Sequence, residues 1–246
     1  NYDKGRIIAI TGTNGKTTTT ALVGQIVKAY NEQTYVVGNI GNSYTGEVLK
    51  TSENSYTVAE ISSFQLETVH RFHPVVSAIL NITPDHLNRH HTMECYAHTK
   101  ERIAENQTKD DVCVLNMEDE ELYRFGSECK ASVVWFSSKR KPDKGAYLDG
   151  DDIRYTDGTQ DKLMLNIHDM NLLGTHNYEN VCAAIAMTKA VGIPDDIIIE
   201  QVKCFKAVEH RIEYVATKKG VWYYNDSKGT NPEASVKAIE AMVRPT

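Results

Sequence analysis

Thr11-Gly12-Thr13-Asn14-Gly15-Lys16-Thr17-Thr18 is the stretch from which the rest of this chain is read. It follows an apolar run, Arg6-Ile7-Ile8-Ala9-Ile10, that predicts a short buried strand, and it opens a helical pattern from about Lys16 to Tyr30. Strand, glycine-rich turn and helix in that order make an anion site. The glycines let backbone N–H groups close on phosphate oxygens, and the helix N-terminus adds a positive partial charge. Gly12, Thr13, Asn14, Gly15 and Thr18 would form that cradle, Lys16 would reach the terminal phosphates, and the Thr17 hydroxyl would sit on Mg²⁺. ATP or GTP is the expected ligand. The spacing is Gly-x-x-Gly-Lys-Thr, shorter than the standard phosphate loop, which wants a glycine where Ile10 stands. A helix start after a tight turn is the plainer reading; the flanking strand and helix weigh against it.

A length of 246 residues allows one large domain, or one domain and part of another, with a sizeable core. The chain is 41% hydrophobic and 24% charged, which argues against disorder. A net charge of −6 argues against nucleic acid as a main partner, so any phosphate site must be a local positive pocket. The five cysteines (Cys95, Cys113, Cys129, Cys182 and Cys204) are odd in number and form no Cys-x-x-Cys pair. They read as reduced, mostly buried thiols of a cytoplasmic protein. No apolar run approaches membrane-spanning length, and no signal-peptide pattern is present.

Short β-type runs at 6–11, 34–38, 56–61, 75–82, 111–116 and 132–137 alternate with helical patterns near 16–30, 64–70, 92–106 and 118–125. That alternation predicts an α/β fold with a mostly parallel sheet flanked by helices. Residues 147–155 read as a hairpin around Asp149-Gly150, with another strand near 163–165, giving a small antiparallel β subdomain. Helices follow at about 177–191 and 195–205. Beyond them, 211–215 and 221–224 read as strands, and Pro232 opens a last helix. The expected division is a central domain over 1–207 and the beginning of a second α/β domain over 208–246.

Several polar residues sit where such a fold puts its ligands. Glu60 ends a predicted central strand, and open α/β sheets bind beyond their strands' carboxyl ends. A carboxylate there suits Mg²⁺, although a surface carboxylate is as good a reading. The next strand ends in Asn81-Ile82-Thr83-Pro84-Asp85-His86-Leu87-Asn88-Arg89-His90. His86 is a candidate metal or nucleotide contact against the commoner reading of a loop histidine, and His90-His91 reads as surface. Lys100 by itself is an ordinary helix lysine. Asn177 and Asn180, three apart on one helix face, could bond a base or phosphate, or Asn177 could simply cap the helix. Asn225-Asp226-Ser227-Lys228-Gly229-Thr230-Asn231 is a charged turn, of a kind usually just solvated, that would still fit a phosphate or ribose contact.

Taken in order, Gly12 to Thr17, Glu60 to Glu67, Asn81 to His90, Lys100, His176 to Asn180, His210-Arg211 and Asp226-Ser227-Lys228 resemble the Mur ligases along essentially the whole chain. These are ATP-dependent amide-bond ligases of peptidoglycan synthesis. The run Glu60-Ile61-Ser62-Ser63-Phe64-Gln65-Leu66-Glu67 resembles most the member that adds D-glutamate to UDP-N-acetylmuramoyl-L-alanine. The resemblance implies that Lys16 and Thr17 bind ATP and Mg²⁺, and that Glu60 and His86 serve two metal sites. It further implies that Lys100 is carbamylated into an anionic metal ligand. Asn180 would contact adenine with Asn177 nearby, while Arg211, Asp226 and Lys228 close on the nucleotide. Asn39 and Ser62 would lie near the muramoyl substrate. Asn88 and Gly229 depart from the family's frequent aspartate and alanine.

Other readings stay open: a different Mur ligase, a folylpolyglutamate synthetase, a nucleotide-binding module without ligase activity, and an ordinary phosphate-loop kinase or GTPase. The chain starts at Asn1 and stops just past a helical pattern, which reads as a fragment. The fragment is expected to be monomeric, to bind nucleotide weakly at most, and not to ligate by itself.

Overall fold

The computed structural model describes residues 2–172, 174–206, 208, 212–229 and 232–242. As the residue pattern predicts, β1 (Arg6–Thr11) runs through the loop into α1 (Lys16–Tyr30). There follow β2 (Thr34–Gly38), α2 (Tyr44–Glu47), β3 (Tyr56–Glu60), α3 (Ser63–Leu66), β4 (Val76–Ile79), α4 (Leu87–His90) and α5 (Met93–Glu101). Next come β5 (Val112–Asn116), α6 (Glu120–Glu128) and β6 (Ser132–Ser137). β7 (Gly145–Asp149), β8 (Asp152–Thr156) and β9 (Asp161–Asn166) lead to α7 (Thr175–Ala190) and α8 (Asp195–Cys204). β10 (Glu213–Lys218), β11 (Val221–Asn225) and α9 (Pro232–Glu240) complete the described elements. The helix expected over 64–70 is a single turn, Ser63–Leu66, capped at its start by Ser62.

Among the described residues one sheet has nine strands in the order β2-β3-β1-β4-β5-β6-β7-β8-β9. β2 to β7 pair in parallel, and β7-β8-β9 form an antiparallel meander. The expected antiparallel part is present and is continuous with the main sheet. β10 and β11 form their own two-stranded sheet.

The parallel strands are apolar on both faces, so both are covered. Ile8, Ile10, Val58 and Ala78 pack with Leu22, Val23 and Ile26 of α1 and with α7 and α8. Ile7, Ala9, Ala59 and Ile79 pack on the other face with Leu66, Tyr96 and Leu122. Val181 to Met187 of α7 are all fully buried, as expected of a helix that is apolar all round. Two cysteines, Cys113 and Cys182, are buried; Cys129 is half-buried and Cys95 and Cys204 are exposed, so "mostly buried" does not hold. All five are free thiols. No helix among the described residues is long and apolar enough to cross a membrane.

The join between parallel and antiparallel parts depends on Gly145. Its φ is 146°, and a Cβ there would stand 1.8 Å from the Trp135 carbonyl oxygen across the β6–β7 pair. Gly145→Ala is expected to cost about 3 kcal/mol or more, measured by urea unfolding, because it adds backbone strain to a clash with main chain. A loss below about 1 kcal/mol would show that the meander does not need this close approach.

Candidate functional site

The glycine-rich loop is held by hydrogen bonds from the neighbouring strand end. Thr13 N–H donates to the Asn81 carbonyl at 2.9 Å. The Asn81 side chain brackets Asn14, accepting from its N–H at 2.8 Å and donating to its carbonyl at 3.2 Å. Gly15 turns the chain into α1 with φ 83°, in the left-handed region, and a Cβ there would lie 2.3 Å from Asn180 Oδ1. Both constraints call for glycine. Among the described residues no side chain caps α1 and no acidic residue occupies its first turn, an arrangement that would favour an anion at its N-terminus. Thr17 and Thr18 are buried within that first turn.

Two lysines meet at one backbone oxygen. Lys16 Nζ folds back to donate to the Gly12 and Thr13 carbonyls, each at 2.8 Å. Lys100 Nζ, on a side chain that is almost wholly buried, also donates to the Gly12 carbonyl at 2.8 Å and lies 4.6 Å from the centre of the Tyr96 ring. Burial, and then the charge of Lys16, hold the Lys100 amine well below the usual ammonium range. The plain reading of an ordinary helix lysine is thus overturned.

Glu60 ends β3 in register with Ile10 of β1, which brings it beside the loop. It is 1% exposed. Its Oε1 accepts from Asn39 Nδ2 at 2.9 Å, while its Oε2 is buried with no hydrogen-bond partner among the described residues. An unsatisfied buried carboxylate oxygen is costly, and a cation is what would satisfy it. Ser62 serves the backbone here, capping α3 and forming a reciprocal capping box with Gln65. His86 is largely exposed, has φ 52°, and its ring packs 4.9 Å from Phe64 beside Asp85. Among the described residues no three His, Cys, Asp or Glu side chains gather as a ready metal cage. The donor set fits a cation that takes most of its ligands from phosphate and water, with Glu60 and Thr17 nearest the loop.

The expectation that His90 lies on the surface is wrong. It is buried, its Nε2 lies 3.1 Å from Ser63 Oγ, and its ring stacks on Phe64 and lies tilted against Tyr96. The apolar neighbours that draw it inward come from α3 and α5, which the linear sequence did not place beside it.

A cavity of about 590 Å³ opens against the loop. Asn14, Gly15, Thr18, Asn177 and Asn180 line its floor, and Tyr214, Tyr224 and Asp226 line it from β10 and β11. Its volume suits a nucleotide-sized ligand. Asn180 Nδ2 donates to Asn177 Oδ1 at 3.3 Å, and Thr19 Oγ1 donates to Asn180 Oδ1 at 3.3 Å. Asp226 Oδ1 accepts from Ile212 N–H at 3.1 Å. Lys228 is exposed and is not among the lining residues. His210 and Arg211 lie outside the described residues. Sequence reasoning missed the apolar lining by Leu80, Phe136, Tyr214 and Tyr224. The two tyrosines face each other directly across β10 and β11, with ring centres 5.8 Å apart, and the aromatic residues at matching ends of the expected strand pair were the available signal.

The chain is 85% identical over 246 residues to the UDP-N-acetylmuramoylalanine--D-glutamate ligase of Lachnospira eligens, covering 100% of this chain and 55% of that protein. It is 55% identical over 242 residues to the ligase of the same name from Lachnoclostridium phytofermentans, covering 98% of this chain and 53% of that one. The chain thus spans about half the length of the curated relatives it matches. Its fold is similar to that of MurF from Acinetobacter baumannii, with a TM-score of 0.76 and 19% identity over 99% of this chain and 55% of that one. It is also similar to a MurF ligase from Thermotoga maritima solved in complex with ADP, with a TM-score of 0.73 and 21% identity over 98% and 58%. At such identities the structural likeness speaks for the fold alone. The sequence model of the Mur ligase middle domain matches residues 10–188, and the chain belongs to the Mur ligase family.

Proposed function

We propose that this chain carries the nucleotide-binding part of an ATP-dependent ligase that joins D-glutamate to UDP-N-acetylmuramoyl-L-alanine. The observation that carries this reading is the 85% identity, along the entire chain, to a ligase whose name states that reaction. In it, residues 1–207 are the central ATP-binding domain and 208–246 begin the C-terminal domain. Consistent with that division, β10 and β11 pair only with each other among the described residues. The protein would act in the cytoplasm as a monomer.

The muramoyl carboxylate attacks the γ-phosphate of ATP, forming an acyl phosphate and releasing ADP. The amine of D-glutamate then attacks the acyl carbon, phosphate departs, and the amine's proton is lost. Carboxylate is a poor acyl donor and acyl phosphate a good one, so no protein nucleophile is required. Lys16 would exchange its two loop carbonyls for phosphate oxygens. The uncapped start of α1 would face the same phosphates. Mg²⁺, when bound, would spread the charge of the transferring phosphoryl group. Thr17 and the unpartnered oxygen of Glu60 are the residues best suited to hold it, with His86 and Lys100 serving a second metal. Lys100, whose amine burial holds well below the usual ammonium range, would add CO₂ through its uncharged form and lose a proton, giving an anionic carbamate beside Lys16. Asn177, Asn180, Asp226, Arg211 and Lys228 would hold the nucleotide, and Asn39 and Ser62 the muramoyl end.

In a full-length protein that carries this chain, phosphate release from ATP, Mg²⁺ and UDP-N-acetylmuramoyl-L-alanine is expected to require D-glutamate and to vanish in Lys16→Ala. Release with another amino acid would move the chain to a sister ligase. No release with any amino acid, from a folded protein that binds ATP, would favour the plain binding module. Glu60→Gln keeps the acceptor for Asn39. It should change stability by less than about 1 kcal/mol in thermal unfolding while lowering turnover about a hundredfold or more. Exposure to ¹³C-labelled CO₂ should give a carbamate carbon resonance that disappears in Lys100→Met; a resonance that persists would assign the carbamate elsewhere.

A further inference from the structure

The loop that would cradle phosphate is shaped by residues 80–83, and those residues are themselves held from behind. Thr83 bonds Thr13 Oγ1 through both its N–H, at 3.0 Å, and its carbonyl, at 3.1 Å. Asn81 brackets Asn14 through its side-chain amide. On the far side, Asn116 Nδ2 donates to the Leu80 carbonyl at 3.2 Å. Ile82 N–H donates to Asp119 Oδ2 at 2.7 Å. Asp119 Oδ1 meanwhile accepts from Leu122 N–H at 3.2 Å and so caps α6. One carboxylate therefore joins the start of α6 to the backbone between the two residues that template the loop. Burial pushes this carboxyl up from its usual range, so it is held in place at a cost.

We infer that Asp119 is a positioning residue for nucleotide phosphates: its second oxygen, beyond what the helix cap uses, fixes Ile82 and through Asn81 and Thr83 fixes Thr13 and Asn14. The inference rests on the reading that the loop holds ATP. A short polar N-cap would satisfy α6 without reaching across to Ile82, and Ser caps a helix about as well as Asp. A carboxylate supplies two acceptors in fixed relation, and a charged acceptor makes the stronger bond to a backbone N–H.

Asp119→Ser separates the two roles, since it keeps the cap and loses Ile82. In the full-length protein it should leave the thermal midpoint near that of the unaltered enzyme, raise KM for ATP roughly tenfold, and leave KM for D-glutamate unchanged. Amide hydrogen exchange should quicken at Ile82 and Asn14 while Leu122 stays protected. Wild-type KM for ATP together with retained protection at Asn14 would overturn the inference and leave Asp119 a helix cap only. Should Asp119→Ser fail to fold, Asp119→Asn, with one acceptor oxygen for two N–H groups, is read in the same way. If the unaltered full-length protein ligates nothing, the reading of function fails instead. Quickened exchange at Asn14 would then still uphold the mechanical link, and unchanged exchange would overturn it.

Discussion

The contact of Gly15 with Asn180 is the constraint on which the rest of this molecule depends. A left-handed glycine stands where a Cβ would meet the asparagine amide oxygen at 2.3 Å. That approach fixes how α1 leaves β1 and how closely α7 lies on the same sheet face. It also places Asn177 and Asn180 on the floor of the cavity next to the loop. Because α7 is buried without interruption from Asn180 to Thr188, it has little freedom to move away and relieve the contact. Loop geometry, helix packing and cavity shape are thus one arrangement.

The site is kept at some expense to stability. Lys100 is buried with its amine on a carbonyl already shared with Lys16, and Glu60 has a buried oxygen with no partner. Each is unfavourable by itself, since burial disfavours charge and unsatisfied polar atoms. Together they lie around a loop whose helix N-terminus is uncapped. An anion with its cation would supply what the helix and the carboxylate each lack. That convergence separates the loop from a mere tight turn.

Much of the fold was legible in the chain. The parallel strands announce themselves because they are buried on both faces and so are apolar without alternation. The bounds of β1, β2, β6 and α1 match the residue patterns directly. The loop's course was legible because the chain turns into α1 through a left-handed φ that calls for glycine at position 15. The burial of His90 was not, because two rings and a hydroxyl brought together by α3 and α5 make its pocket. Tyr214 and Tyr224 read only as strand aromatics until pairing set them face to face over the cavity.

The sequence alone determined the local matters: which segments are strands, where the chain must turn with φ positive, and which lysine follows the loop. These are decided by sterics and polarity within a few residues. Tertiary structure alone decided that Lys100 is a buried amine beside Lys16, that Glu60 keeps an orphaned oxygen, and that Asp119 grips Ile82. It also decided that the antiparallel meander extends the main sheet. The physical reason is common to all of these. Desolvation and hydrogen-bond satisfaction depend on which groups from distant parts of the chain close over a site, and residue spacing does not encode that closure.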